Sequence, residues 1–184
     1  MARLLDKTVV VDVESTCWES APPSGQASEI IQIGVCTVDT KSLERAEKRS
    51  ILVKPVRSEV SEFCRSLTGL TAEMLATAGT LADAAAILKK DYRVKDRLWA
   101  SWGDYDRRQF ERVCKESSVA YPFGTSHLNV KTLFAVSMGL DKEVGMDGAY
   151  RHLEWSIEGV HHHGDDDAWN IAEVLCLLLK RARG

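Results

Sequence analysis

The sequence of 184 residues lacks several features that define whole classes of protein. It has no Cys-x-x-Cys pair, and its five widely spaced cysteines argue against a zinc ribbon or a disulfide framework. No apolar run reaches the length of a membrane span, and the first seven residues are too charged for a signal peptide. We therefore expect a cytoplasmic protein with free thiols and no membrane partner.

An excess of charge of one sign is also absent. The 24 Lys and Arg residues against 27 Asp and Glu residues give a net charge of −3, which excludes a generally basic nucleic-acid coat. Basic residues still cluster within residues 89–97, 107–112 and 180–183. Such clusters are usually solvated surface, and phosphate contact is the alternative where a cluster borders a site.

Repeats, low-complexity segments and linkers are missing too, so we expect one domain over residues 1–184 with a core of about residues 8–180. Strands are predicted over residues 8–13, 30–38, 48–53, 97–101 and 128–130. Helices are predicted over residues 58–67, 71–75, 80–92, 106–116, 132–138, 145–153 and 166–181. Three early strands joined by short links predict an antiparallel meander. The whole order predicts an α/β fold with a central mixed five-stranded sheet flanked by helices.

The first predicted strand carries two carboxylates where a buried strand should have none. Asp12 and Glu14 are two residues apart, so their side chains point to the same face of the strand. Adjacent carboxylates repel unless a proton or a cation lies between them, and an oxygen-bound divalent cation is the ordinary solution. A solvated strand edge is the alternative for this motif taken alone.

Further acids and histidines lie at the predicted ends of elements. Asp104 and Asp106 stand where the fourth strand enters its helix, Asp167 begins the last helix, and His162 precedes Asp167 by five residues. Carboxylates suit Mg²⁺ and Mn²⁺, and two such ions can clamp an in-line phosphoryl displacement. A histidine beside them can take a proton from water. Helix caps and a surface loop are the alternatives for each signal alone.

Taken together, these motifs resemble those of the DEDDh 3′–5′ exonucleases, whose fold is RNase H-like. The first family motif, Asp-x-Glu, matches Asp12-Val13-Glu14, and the third, a histidine five residues before Asp-Ala, matches His162 with Asp167. The second motif is an aromatic residue followed by the catalytic Asp.

The second motif offers two aspartates in this chain. Tyr105-Asp106 fits it, with the apolar Phe110 four residues later, and Asp104 is the second choice. A shift of one residue at the third motif would instead pair His161 with Asp166.

Within the family, the chain is most similar to the exoribonuclease branch that trims the ends of histone mRNA and siRNA, and to its bacterial relatives. The similar segments extend from about residue 8 to residue 180. They are residues 12–17, 29–34, 63–71, 128–131 and 166–172.

The resemblance implies roles for individual residues. Asp12, Glu14 and Asp167 would hold a first divalent ion, Asp12 would bridge to a second, and Asp106 would reach that ion partly through water. His162 would be the general base. The implied substrate contacts are the backbone of Ser15 and Thr16 at the terminal sugar, and the side chains of Leu67 and Tyr105 at the terminal base. A core position is the alternative for Leu67.

The implied function is a metal-dependent 3′–5′ exoribonuclease that releases nucleoside 5′-monophosphates from single-stranded or short-overhang RNA. It would use two Mg²⁺ or Mn²⁺ ions, with RNA favoured over DNA as the partner. A separate targeting protein is expected if the chain has no RNA-binding module of its own. Two alternatives stay open: a 3′–5′ DNA exonuclease with the same site, and a regulatory family member that binds nucleic acid or protein without turnover.

Overall fold

A computed structural model describes residues 4–184. The first three residues, part of the N-terminal segment that we expect not to be a signal peptide, lie outside the described residues. The strands are β1 Leu4–Ser15, β2 Ile30–Asp39, β3 Arg45–Leu52, β4 Arg97–Ser101 and β5 His127–Asn129. The helices are α1 Glu62–Thr68, α2 Ala72–Ala76, α3 Leu81–Asp91, α4 Tyr105–Glu116, α5 Val130–Ser137, α6 Met146–Leu153 and α7 Gly164–Arg183.

The five strands form one mixed sheet in the order β3-β2-β1-β4-β5. Strands β1, β2 and β3 pair antiparallel, whereas β4 runs parallel to both β1 and β5. The predicted mixed five-stranded sheet and its antiparallel meander are therefore confirmed. Within residues 4–184, none of the helices combines the length and apolar character needed to cross a membrane.

Alternate residues of β1 pack against different helix layers. Val9 and Val11 belong to the cluster formed with α3 and α4, whereas Val10 packs with side chains of α5, α6 and α7. Because successive side chains of a strand point to opposite faces, Asp12 and Glu14 continue the face of Val10. The two carboxylates are thereby directed to the side of the sheet that α7 covers.

Helix α7 begins directly against the sheet. Gly34 pairs with Asp12 across β1 and β2, and a Cβ atom on Gly34 would lie 1.8 Å from the carbonyl oxygen of Gly164. A side chain at position 34 would therefore collide with the backbone of the helix. The amide oxygen of Gln32, from the same strand, accepts a hydrogen bond of 3.0 Å from the Gly164 N–H. These contacts fix the first turn of α7 above Asp12.

Two predicted boundaries are wrong for identifiable reasons. Strand β3 begins at Arg45 rather than Lys48, because its charged and mostly exposed residues still pair with β2. Helix α1 begins at Glu62 rather than Ser58, since Ser61 caps it and Ser58 instead hydrogen-bonds Ala27 in the preceding loop. The remaining elements occur where predicted, within a few residues. They include the Thr80–Asp83 capping box of α3.

Candidate active site

The acids of three distant segments meet in one cleft at the C-terminal end of β1. The cleft has a volume of about 260 Å³. Its lining includes four carboxylates and two histidines: Asp12, Glu14, Asp106, Asp167, His161 and His162. All five residues that the sequence proposes for catalysis are therefore brought together, and His161 joins them.

The four carboxylates are held by regular elements. Asp12 and Glu14 are fixed by the pairing of β1 with β2, and Asp167 lies in the first turn of α7. Carboxylate oxygens of these three residues all lie within 4.8 Å of one another. Asp106, in the first turn of α4, is 3% exposed and accepts a hydrogen bond of 3.0 Å from the Val13 N–H.

This crowding makes the charged forms of the acids unfavourable. Burial, followed by the neighbouring Asp167 and Asp106 carboxylates, raises the pKa of Glu14 to about 8. Burial and the same kind of repulsion raise the pKa of Asp12 well above its usual range. The pKa of Asp106 is raised by burial to about 6, although the hydrogen bond from Val13 opposes the shift.

The residues present fit a divalent cation site. Hard oxygen ligands lie close together, and their raised pKa values show that positive charge would relieve a repulsion that the fold creates. Three buried carboxylates beside the half-buried Asp12 are costly without a cation, because burial of a charge without compensation is strongly unfavourable. Asp12, Glu14 and Asp167 form one group of side chains close enough to hold an ion, and His161, His162 and Asp167 form a second.

The two histidines occupy different positions over the acids. The Nδ1 atom of His161 is 3.0 Å from Oδ1 of Asp167, whereas Nδ1 of His162 lies 4.0 Å from Oε1 of Glu14. The two rings stack with their centroids 4.0 Å apart. Burial, and then the neighbouring His161, lower the pKa of His162, so its imidazole is neutral near pH 7.

Asp104 and Asp166 are the two aspartates that the motifs left as alternatives, and their surroundings differ from those of the cleft acids. Asp104 is 36% exposed in its side chain and forms ion pairs with Arg107 and Arg108, and its Oδ1 lies 3.8 Å from Nδ1 of His127. It does not line the cleft that holds the acid cluster. Asp166 does not line the cleft; its carboxylate pairs with Lys48 and accepts the Val160 N–H. This geometry favours Asp106 and Asp167 as the cleft acids.

The basic clusters do not border the cleft as free cations. Arg112 is paired with Glu116 along α4, as Arg107 and Arg108 are with Asp104. Residues 89–97 extend from the end of α3 to the start of β4, at the other end of the sheet from the cleft. The cluster at the end of α7 is about 20 Å along the helix from Asp167.

The four residues that we expect to contact the substrate differ in their exposure to solvent. Tyr105 lines the cleft and is 57% exposed, and Leu67 is 37% exposed, so the core alternative for Leu67 is wrong. Ser15 and Thr16 are buried below the cleft: Oγ of Ser15 accepts from Gln109, and Oγ1 of Thr16 accepts from the Glu29 N–H. Both hydroxyl groups thus have structural partners, and the sugar contact of their backbone stays a prediction.

Sequence reasoning missed some residues that shape the site. His161 contacts Asp167 directly, which the histidine-to-aspartate spacing could not reveal because that spacing selects His162. Gln32 and Gly34, which seat α7 on the sheet, stand in the segment Glu29-Ile30-Ile31-Gln32-Ile33-Gly34 that carries the family resemblance. A polar residue and a glycine inside an otherwise apolar strand were the available signal.

A mixed sheet with helices on both faces and an acid cluster at the end of its central strand defines an RNase H-like nuclease domain. The chain belongs to the exonuclease family RNase_T, whose model matches residues 9–175. The expected DEDDh, RNase H-like fold is confirmed by its structural similarity to the nuclease domain of 3′hExo, a DEDDh family member bound to rAMP. That similarity has a TM-score of 0.83 at 25% identity, and covers 96% of this chain and 92% of the other.

Two further similarities extend the comparison. The human 3′-5′ exoribonuclease 1 is 27% identical over 188 residues, which cover 95% of this chain and 53% of that protein. The chain thus spans about half the length of this curated relative. The Mg²⁺- and Mn²⁺-bound form of S. pombe Pop2p shares the fold, with a TM-score of 0.70 at 16% identity over 95% of this chain and 83% of the other.

Proposed function

We propose that the protein is a 3′–5′ exoribonuclease that removes nucleoside 5′-monophosphates one at a time from single-stranded or short-overhang RNA. The observation that carries the proposal is the convergence of Asp12, Glu14, Asp106 and Asp167 in one cleft beneath a histidine pair. Membership of the exonuclease family and the likeness to an exoribonuclease support it.

The carboxylates would serve as a metal site. Asp12, Glu14 and Asp167 would hold a first ion, and Asp12 together with Asp106 would hold a second. Two divalent ions of the Mg²⁺ or Mn²⁺ kind, when bound there, would stabilise charge on the attacking and leaving oxygens of the phosphodiester. Each ion requires its own carboxylates to be ionised, so the raised pKa values of Asp12 and Glu14 make binding weaker as the pH falls.

His162 would act as the general base. Its neutral imidazole would accept a proton from the water molecule that attacks the terminal phosphodiester. The P–O bond to the 3′ oxygen of the penultimate nucleotide then breaks, and that oxygen takes up a proton to regenerate a 3′ hydroxyl. The products are a nucleoside 5′-monophosphate and an RNA one residue shorter.

Exposed side chains would hold the end of the substrate. Tyr105 and Leu67 would contact the terminal base by stacking and apolar packing, which tolerates any base. The backbone at Ser15 and Thr16 would lie along the terminal sugar. A preference for RNA requires that a polar group recognises the ribose 2′-hydroxyl.

The direct test is the digestion of matched RNA and DNA oligonucleotides, labelled at the 5′ end, in the presence of Mn²⁺. We expect a ladder that shortens from the 3′ end, release of 5′-monophosphates, and a faster rate on RNA. Asp12→Asn, purified in parallel, is the control for contaminating nucleases.

Three outcomes would change the proposal. Equal or faster digestion of DNA would favour a DNA exonuclease that uses the same site. Tight binding of RNA without any release of nucleotide would favour a regulatory member of the family. Internal cleavage products would contradict exonuclease action altogether.

A further inference from the structure

The segment 154–163, which we term the histidine loop, connects α6 to α7 and carries His161 and His162. Three of its backbone N–H groups, at every second residue, donate to side chains of α7. Glu158 donates to Oδ1 of Asn170 at 3.0 Å, Val160 to Oδ2 of Asp166 at 2.9 Å, and His162 to Oδ2 of Asp167 at 2.9 Å. The loop is therefore fastened along the first two turns of one helix.

Asn170 anchors the base of the loop. Its side chain is fully buried, and Nδ2 donates to the carbonyl oxygens of Glu158 at 2.9 Å and Asp166 at 2.8 Å. The hydroxyl of Tyr150 lies 3.0 Å from Oδ1 of the same amide. Every polar atom of this amide is thus satisfied, as burial requires, and the path of the chain at Glu158 is fixed independently of the histidines.

Asp166 holds the middle of the loop. Its side chain is 16% exposed; Oδ1 forms an ion pair with Lys48 of β3, and Oδ2 receives the Val160 N–H. Gly159 has φ +82°, and a Cβ atom on it would lie 2.3 Å from Cγ of Asp166. The turn of the loop is therefore packed against the carboxylate so closely that only glycine fits, and neither oxygen is directed into the cleft.

The conformation of His162 requires such support. Its φ is +66°, in the left-handed region that residues other than glycine rarely adopt. A residue keeps that conformation only when its surroundings hold it there. The hydrogen bond from its own N–H to Asp167 fixes one side of the residue, and the Val160 contact with Asp166 fixes the chain two residues earlier.

We propose that Asp166 is a positioning residue for His162, holding the histidine loop by accepting the Val160 N–H rather than by binding a cation or substrate. This inference rests on the proposed function, in which His162 is the base. A shift of one residue in the third motif would select Asp166 in place of Asp167. In this proposal, Asp166 positions the histidine and does not bind the metal.

The test compares Asp166→Ala with Asp166→Asn. Asparagine keeps an acceptor oxygen for the Val160 N–H and loses the charge, whereas alanine loses both. We expect Asp166→Ala to lower kcat about ten- to a hundredfold with KM and the Mn²⁺ affinity unchanged, because a base misplaced by about 1 Å loses that much rate. Asp166→Asn should restore most of kcat.

Asp165→Ala is the matched control. It removes the same charge from the same helical turn, but among residues 4–184 the Asp165 carboxylate has only a 3.9 Å contact with Lys48 and receives no hydrogen bond from the loop. We expect wild-type kcat for this variant. Amide hydrogen exchange provides a readout without catalysis: the amides of Val160 and His162 should exchange faster in Asp166→Ala, and not in Asp165→Ala.

Wild-type kcat in Asp166→Ala would overturn the inference. So would an Asp166→Asn variant as slow as Asp166→Ala, or a loss of Mn²⁺ affinity in Asp166→Ala, since both would point to a charge or ligand role. If the wild-type protein releases no nucleotide, the proposed function fails. Unchanged amide exchange in Asp166→Ala would separately show that the contact between Asp166 and Val160 does not hold the loop.

Discussion

The two halves of the cleft are built in different ways. The acids stand on a central strand and on the first turns of two helices, where backbone pairing and the apolar core fix them. The histidines stand on an irregular loop that is held by side-chain hydrogen bonds. The position of the acids is therefore a property of the fold, whereas the position of the base depends on a few replaceable contacts.

The largest effect is expected from a change in the acid half. Asp12→Asn, or removal of metal with EDTA, should abolish nucleotide release, because Asp12 is the carboxylate that both ions would share. Gel assays on end-labelled RNA check this, and readdition of Mn²⁺ should restore the EDTA-treated wild type but not the variant. Activity that persists in either sample would show that the acids do not act through a metal.

A change in the histidine half should slow the reaction without removing the metal. His162→Ala is expected to lower kcat by about 10²–10⁴-fold, the usual contribution of a general base, and to leave Mn²⁺ binding intact. Calorimetric titration with Mn²⁺ and steady-state kinetics measure the two quantities separately. His161→Ala is the comparison variant, and a larger loss of kcat there than in His162→Ala would transfer the base role to His161.

The acid half should also make the metal-free protein sensitive to pH. The pKa of Glu14 is raised to about 8 in the folded protein, so its contribution to stability is full below pH 4.5 and is lost as the pH rises through 8. We expect the Tm of EDTA-treated protein to fall over this range by several degrees, since 1 kcal/mol corresponds to about 2–4 °C for a chain of this size.

Glu14→Gln is the matched variant for the pH series, because it cannot ionise. Its Tm should change less between pH 5 and 8, and Mn²⁺ should raise the wild-type Tm most at the alkaline end. A wild-type Tm that does not fall between pH 5 and 8 would contradict the repulsion inferred for the acid cluster.

The smallest effect is expected from the exposed acid near the second motif. Asp104→Asn should leave kcat close to that of the wild type, because Asp104 pairs with Arg107 and Arg108, whereas Asp106→Asn should lose most activity. Parallel kinetics of the two variants decide between the aspartates. The reverse order of effects would assign the second motif to Asp104.

Much of the fold follows from local sequence signals. The run of valines before Asp12 predicts the central strand because only a strand buried on both faces tolerates such a run. The capping box at Thr80 and Asp83 marks the start of α3 through hydrogen bonds within four residues. The first residues of β3 could not be predicted, since an exposed edge strand has no apolar alternation and depends on pairing with β2.

The site is predictable to the extent that its residues lie at the ends of regular elements. The Asp12 and Glu14 pair follows from strand alternation, and Asp167 from the start of a helix. Which of two adjacent histidines faces which acid depends on backbone angles in a loop, and the left-handed conformation of His162 has no sequence signal. The support given by Gln32 is likewise a tertiary contact.

The contact between Gly34 and Gly164 places a severe demand on a position that carries no functional group. Helix and strand meet there with no side chain between them, so a change of rotamer cannot make room for even one added methyl group. Gly34→Ala would displace the start of α7 and, with it, the carboxylate of Asp167. A mutational screen limited to residues that touch RNA or metal would overlook the position on which the spacing of the acids depends.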